Sequence, residues 1–153
     1  MGEGALTHGV AVAVSVDPDG PLAGALLLGP SASGKSALAL RLIEECPWRR
    51  TALVADDAVL LKGDGGRIIA RAPERIAGLI EVRGFGPARV RRLETAPMLA
   101  AFDLSAPESR FPEPSMREYA PGIALALWPF RAGEGGPARL RAALRSILGG
   151  QTL

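Results

Sequence analysis

The residues best suited to chemistry stand in one short run, Gly29-Pro30-Ser31-Ala32-Ser33-Gly34-Lys35-Ser36. The run meets the pattern G-x-x-x-x-G-K-[ST] at every fixed position. Glycines at its ends let backbone N–H groups turn inward around a phosphate, and a helix beginning at the lysine adds its positive end. In such a loop Lys35 reaches the β- and γ-phosphates, and the Ser36 hydroxyl ligates Mg²⁺. Gly29 through Ser36 are therefore the candidate residues for holding a nucleoside triphosphate.

Farther on, Asp56-Asp57 closes a hydrophobic stretch. An acid in that position beside a phosphate loop is placed to hold Mg²⁺, and a second acid can take a proton from an attacking hydroxyl. The same pair also suits a turn at a strand end. Which acid has which role stays open on these residues, as does the choice among kinase, ATPase and GTPase. Glu81 and Arg83, two apart on an expected strand, project to one face ready to pair, and Gly84 and Gly86 then allow a close turn. His8 is the only histidine and by itself reads as a surface residue. Cys46, beside Pro47, reads as a packing residue, and Arg89, Arg91 and Arg92 as a solvated face able to meet an anion.

The elements that must position these groups follow from pattern. Gly9–Val16 is small and β-branched and runs into Asp17-Pro18-Asp19-Gly20-Pro21, so it reads as a strand entering a loop. Ala23–Leu28 is a continuous apolar run, as expected of a strand covered on both faces. Good helix formers from Lys35 to Glu45 follow the loop until Pro47 stops them. Thr51–Ala55 is a further buried strand. Val59–Lys62 and Arg67–Ala70 flank Gly63-Asp64-Gly65-Gly66 as a hairpin. Pro73–Gly78 makes one helical turn before the strand 79–83. Pro97–Leu104 and Ile123–Trp128 are expected strands, with 105–121, prolines at 107, 112, 114 and 121, expected to be largely loop. Leu140, Ala143, Leu144, Ile147 and Leu148 form an amphipathic last helix, whose apolar face can cover its own sheet or serve an interface.

The chain has 153 residues, 48% hydrophobic and 22% charged, which suits one compact domain. A net charge of +2 is too small for a protein that works by neutralising a nucleic-acid backbone. No apolar run approaches the about 20 residues of a membrane span, and the N-terminus lacks an export signal. One cysteine forms no internal disulfide, which fits a reducing cytoplasm.

Four blocks of the chain resemble the HPr kinase/phosphorylases of bacterial sugar-phosphotransferase regulation: His8-Gly9-Val10, the loop from Gly29 to Ser36, Leu53-Val54-Ala55-Asp56-Asp57, and Glu81-Val82-Arg83-Gly84-Phe85-Gly86. The last is close to the family signature E-I-R-G-L-G, and Arg110-Phe111-Pro112-Glu113-Pro114 is similar to a later segment of the short proteobacterial members. The resemblance implies an α/β P-loop nucleotide-binding fold of the HPr kinase / PEP carboxykinase-like type, with a mixed β-sheet and few helices. It implies a catalytic domain over 1–153 without the N-terminal regulatory domain of longer members.

The resemblance further implies that ATP is used to phosphorylate a serine of the carrier protein HPr, with phosphorolysis as the reverse reaction. Lys35 and the loop would hold ATP, while Ser36, Glu81 and Asp56 would hold Mg²⁺. Asp57 matches the residue that accepts the serine proton. His8 matches an active-site histidine near that acid, Arg83 lies in the signature region, and Arg110 matches a catalytic arginine. A cytoplasmic homo-oligomer, typically a hexamer, is the implied assembly. The sequence departs from the family pattern at Ala58, at Pro87, and at Pro129-Phe130-Arg131-Ala132-Gly133, the counterpart of a basic segment tied to dephosphorylation. The alternatives are a P-loop kinase for a small molecule and a catalytically silent ATP-sensing module.

Overall fold

The computed structural model describes residues 4–107 and 109–149. β1 (Ala5–His8), β2 (Val10–Ser15) and β3 (Leu22–Leu28) lead through the phosphate-loop motif into α1 (Lys35–Glu44). β4 (Ala52–Ala55), the hairpin of β5 (Ala58–Asp64) and β6 (Arg67–Arg71), and a single 3-10 turn at Glu74–Ile76 follow. Then come β7 (Leu79–Val82), β8 (Gly86–Arg89), β9 (Thr95–Asp103), β10 (Ser115–Ala120), β11 (Ile123–Pro129) and α2 (Gly136–Leu148).

The main sheet runs β1-β5-β6-β9-β3-β2-β4, with β11 joining β9 beyond the end of β6 and β10 pairing with β11. β9 is parallel to both β3 and β11, while the other ladders of this sheet are antiparallel. The result is the expected mixed sheet, with two α-helices among the described residues.

β2 is buried along its whole length because it lies between β3 and β4. Its pleat sends Val10, Val12 and Val14 to one face and Ala11 and Ala13 to the other. On the valine face, Leu38, Ala39, Leu42 and Ile43 of α1 and Leu140 and Leu144 of α2 close a core around Phe102. On the alanine face, Val59, Leu61, Ile68 and Ala70 of the β5–β6 hairpin pack against Val54, Leu26 and Met98. The last helix thus spends its apolar face on its own sheet. Cys46 is buried, as a packing residue should be. Gly24 is required where β3 approaches β9, since a Cβ there would run into the Pro97 carbonyl and Met98.

Three strands depart from the sequence reading. The segment expected to be loop through 121 contains β10, and only the described residues of 104–114 connect without strand or helix. β10 pairs on one side, and its first four residues are exposed, so it needs no apolar stripe to betray it. His8 does not precede the first strand but ends one, β1, which pairs with β5 so that His8 lies opposite Ala58. The glycine turn after β7 leads into β8 rather than a free loop, and Pro87 pairs opposite Glu81. Proline is tolerated there because the two-stranded ribbon has open edges.

Candidate active site

The motif residues link the buried strand β3 to α1, and their backbone curls through three left-handed residues, Gly29 (φ 140°), Ala32 (φ 71°) and Gly34 (φ 95°). A non-glycine residue in that conformation costs about 1–2 kcal/mol. The curl leaves the N-terminus of α1 with no side-chain cap and no acid in its first turn. Its free N–H groups therefore suit an anion, not a neighbouring side chain. Lys35 is buried, and its Nζ donates to the carbonyls of Gly29 at 2.7 Å and Pro30 at 2.9 Å. Burial lowers its pKa below the ordinary lysine value, and the charges of Asp57 and then Asp56 partly offset this.

β4 delivers the acid pair, and the backbone then splits it. Asp57 adopts φ 72°, while the Ala58 amide donates back to the Asp56 carbonyl at 2.8 Å. The turn sends Asp56 inward. Its Oδ1 accepts from the Ser36 hydroxyl at 2.6 Å, and its Oδ2 accepts from the Glu81 amide at 2.8 Å. One carboxylate thereby ties together the start of α1 and the middle of β7. Asp57 turns outward, its side chain 77% exposed, with Oδ1 at 3.5 Å from Nδ1 of His8. So exposed a pair is worth at most about 1 kcal/mol, no more than the left-handed turn costs. What the turn accomplishes is the division of the two acids.

β7 faces two ways. Ile80 is fully buried in the valine-side core, while Glu81 and Arg83 are exposed on the opposite face and form no ion pair with one another. Pairing of Leu53 with the 91–93 segment holds this ribbon against β4.

These pieces enclose a cleft of about 940 Å³. Lys35, Ser36, Asp56, Asp57, Glu81 and Arg83 line it, and His8 stands with them. Ser31, Ala32 and Gly34 contribute its loop side. Pro30 and Ser33 face a second hollow across the loop, and Gly29 contributes the carbonyl that holds Lys35. Arg110 is not brought in. It lies on the 104–114 connection, outside the cleft lining, with its guanidinium over the ring of Phe111. The sequence reading gave no site role to Leu40, Arg41 and Ile76, which also line the cleft, and took Pro87, another lining residue, only as a departure from the family pattern. Ala37, Leu40 and Arg41 are one helical face, so the 3.6-residue period was the available signal.

The sequence model of the HPr serine kinase C-terminal domain matches residues 1–96 of this chain. The chain belongs to the HPr serine kinase family. An HPr kinase/phosphorylase of Clostridium beijerinckii is 44% identical over 79 residues, covering 52% of this chain and 23% of that protein. One from Brevibacillus brevis is 37% identical over 98 residues, covering 58% of this chain and 30% of that protein. This chain thus spans under a third of the length of these relatives. Among solved structures, the Hpr(Ser) kinase/phosphatase of Coxiella burnetii superposes with a TM-score of 0.76 at 22% identity, covering 94% of this chain and 95% of that one. That likeness shows the shared kinase fold. Among the described residues no helix is long and apolar enough to cross a membrane.

Proposed function

We propose that this chain transfers the γ-phosphate of ATP to a serine hydroxyl of the carrier protein HPr, and runs the phosphorolysis of phospho-HPr as the reverse. The observation that carries this reading is the split of Asp56 and Asp57 beside the phosphate loop. A module that only binds nucleotide needs just the inward acid. An outward carboxylate at the mouth of the cleft, with an imidazole at 3.5 Å, suits the removal of a proton from an incoming hydroxyl. Membership of the HPr serine kinase family supplies the protein acceptor.

The residues present fit Mg²⁺. The ion takes one or two carboxylates and keeps its other positions for water and phosphate oxygens. Ser36 and Asp56 already adjoin, and Glu81 is tied to Asp56 through its amide. When bound, Mg²⁺ neutralises charge on the β- and γ-phosphates. Backbone N–H groups of 29–34 and the ammonium of Lys35 hold the phosphates, Lys35 exchanging its loop carbonyls for phosphate oxygens. Asp57 accepts the serine proton, and His8 orients its carboxylate. Arg83 faces the transferred group from the β7 side. The arginine at 110 belongs to this proposal only through a movement of the 104–114 connection. The cytoplasmic homo-oligomer, a hexamer by resemblance, belongs to the same reading.

The test is single-turnover transfer of labelled γ-phosphate from ATP to HPr, read beside equilibrium binding of ATP. Loss of transfer with retained binding in Asp57→Asn supports the reading. Transfer by Asp57→Asn at the rate of the unaltered chain would sink it, and transfer to a metabolite with HPr untouched would replace it with a small-molecule kinase.

A further inference from the structure

Two large apolar side chains stand in water beside the reacting cleft, and the proposed transfer uses neither. Leu6 is 66% exposed and Phe85 is 78% exposed. They come from different elements. Leu6 lies on β1 two residues before His8, so the strand turns both side chains to one face, and the register sets Leu6 opposite Leu60 and His8 opposite Ala58. His8 is the neighbour of the exposed Asp57 carboxylate, which places Leu6 on the β1 side of the mouth.

Phe85 comes from the other wall. It forms the tip of the β7–β8 ribbon, in a turn closed by its own amide donating to the Val82 carbonyl at 2.9 Å. Gly84 at φ 85° and Gly86 at φ 116° flank it, in a conformation that glycine adopts without steric cost. Arg83 and Gly84, on the same turn, line the cleft. The ribbon is rooted below the turn, where Ile80 belongs to the core and Val82 and Val90 pack against it. Among the described residues no cation or second ring stacks on Phe85, whereas Phe111 has the Arg110 guanidinium over its ring.

Exposed apolar side chains on short, tied-down elements suit docking, because they bury a large area on contact and lose little freedom in doing so. A hydroxyl on a folded protein cannot reach Asp57 unless the surface around it lands on the rim of the cleft. That rim offers Leu6 on one side and Phe85 on the other. A second copy of this chain seated on both would cover Asp57 and shut out the acceptor, so the occupant is a partner that comes and goes. We propose that Leu6 and Phe85 are the anchors for the acceptor protein, each received by apolar side chains that flank its serine. The proposal rests on transfer to a serine of HPr and adds which residues of this chain select a protein over a free hydroxyl. A small hydroxyl compound reaches Asp57 and touches neither anchor.

Steady-state transfer to HPr by the full chain, with kcat and KM measured separately at saturating ATP, tests this. Phe85→Ser and Leu6→Ser should each raise the KM for HPr about tenfold, the scale of one buried apolar side chain, with kcat and the KM for ATP unchanged. The double variant should raise it about a hundredfold, since the two residues sit on separate elements. Met116→Ser, which alters a comparably exposed side chain on β10 outside the cleft lining, should change none of these values. An unchanged KM for HPr in either single variant, or the same rise in Met116→Ser, would overturn the proposal while leaving the kinase reading intact. A changed sedimentation mass with the KM for HPr unchanged would also overturn it, giving these residues to a contact between copies. Absence of HPr phosphorylation by the unaltered chain would remove both the proposal and the reading on which it rests.

Discussion

Asp56 offers the sharpest test of how the site is held together. It is nearly fully buried and is the acceptor for two donors, the Ser36 hydroxyl at 2.6 Å and the Glu81 amide at 2.8 Å. Asp56→Ala removes both bonds and leaves both donors facing a small void. Hydrogen bonds to a charged group are worth about 1.5–3 kcal/mol each, and the adjoining cleft lets water satisfy part of the loss, so about 3 kcal/mol is expected for the pair. Asp56→Asn differs in a specific way. Its carbonyl can still accept from the Glu81 amide, and its NH₂ can donate to the Ser36 oxygen, whose hydroxyl turns away. Both contacts survive without the charge, so the cost should be about 1 kcal/mol. For a chain of this size these values correspond to drops in Tm of about 6–12 °C and 2–4 °C. Urea unfolding followed by far-ultraviolet circular dichroism measures the difference directly. Equal destabilisation by the two substitutions, or none from Asp56→Ala, would refute the claim that this side chain joins α1 to β7.

Other consequences can be checked the same way. Lys35→Met should abolish ATP binding without destabilising the free protein at pH 7, because burial lowers the Lys35 pKa and its charged form costs stability there. That cost is present below the lowered pKa and is relieved as pH climbs toward 10.5, so the unfolding curves of the two proteins should converge in alkaline solution. Gly24→Ala should cost about 1–3 kcal/mol in chemical denaturation, since its Cβ meets the β9 backbone at Pro97 and Met98. At position 57, Asn should keep the left-handed turn and Val should strain it by about 1–2 kcal/mol, measured as a further loss of Tm in Asp57→Val. His8→Ala should leave stability within about 1 kcal/mol, because its contact with Asp57 is exposed, yet slow transfer to HPr in single-turnover kinetics.

Much of the frame was legible because its elements are buried and periodic. β2, β3, α1 and β4 carry unbroken apolar runs or a clear helical stripe, and the phosphate-loop motif sits where strand passes to helix. β1, β8 and β10 were hidden for the opposite reason. They are short or largely exposed, and pairing rather than burial fixes them. In the site, the motif predicted the loop side, and the alternation of Glu81 with Ile80 predicted which residues of β7 leave the core. The opposed directions of Asp56 and Asp57 depend on one backbone angle, which no pattern of residue types encodes. The gathering of His8 with Asp57 depends on the β1–β5 ladder, and no local signal announces it. Arg110 shows the converse: a motif match placed it with the others, whereas the 104–114 connection holds it apart.

The central claim is transfer of phosphate to a serine of HPr, and mass spectrometry of the acceptor tests it most directly. HPr incubated with the chain, ATP and Mg²⁺ should gain one phosphate, mapped by fragmentation to a serine, and gain none when Asp57→Asn replaces the chain. HPr left unmodified by an equimolar, ATP-bound chain would contradict the account.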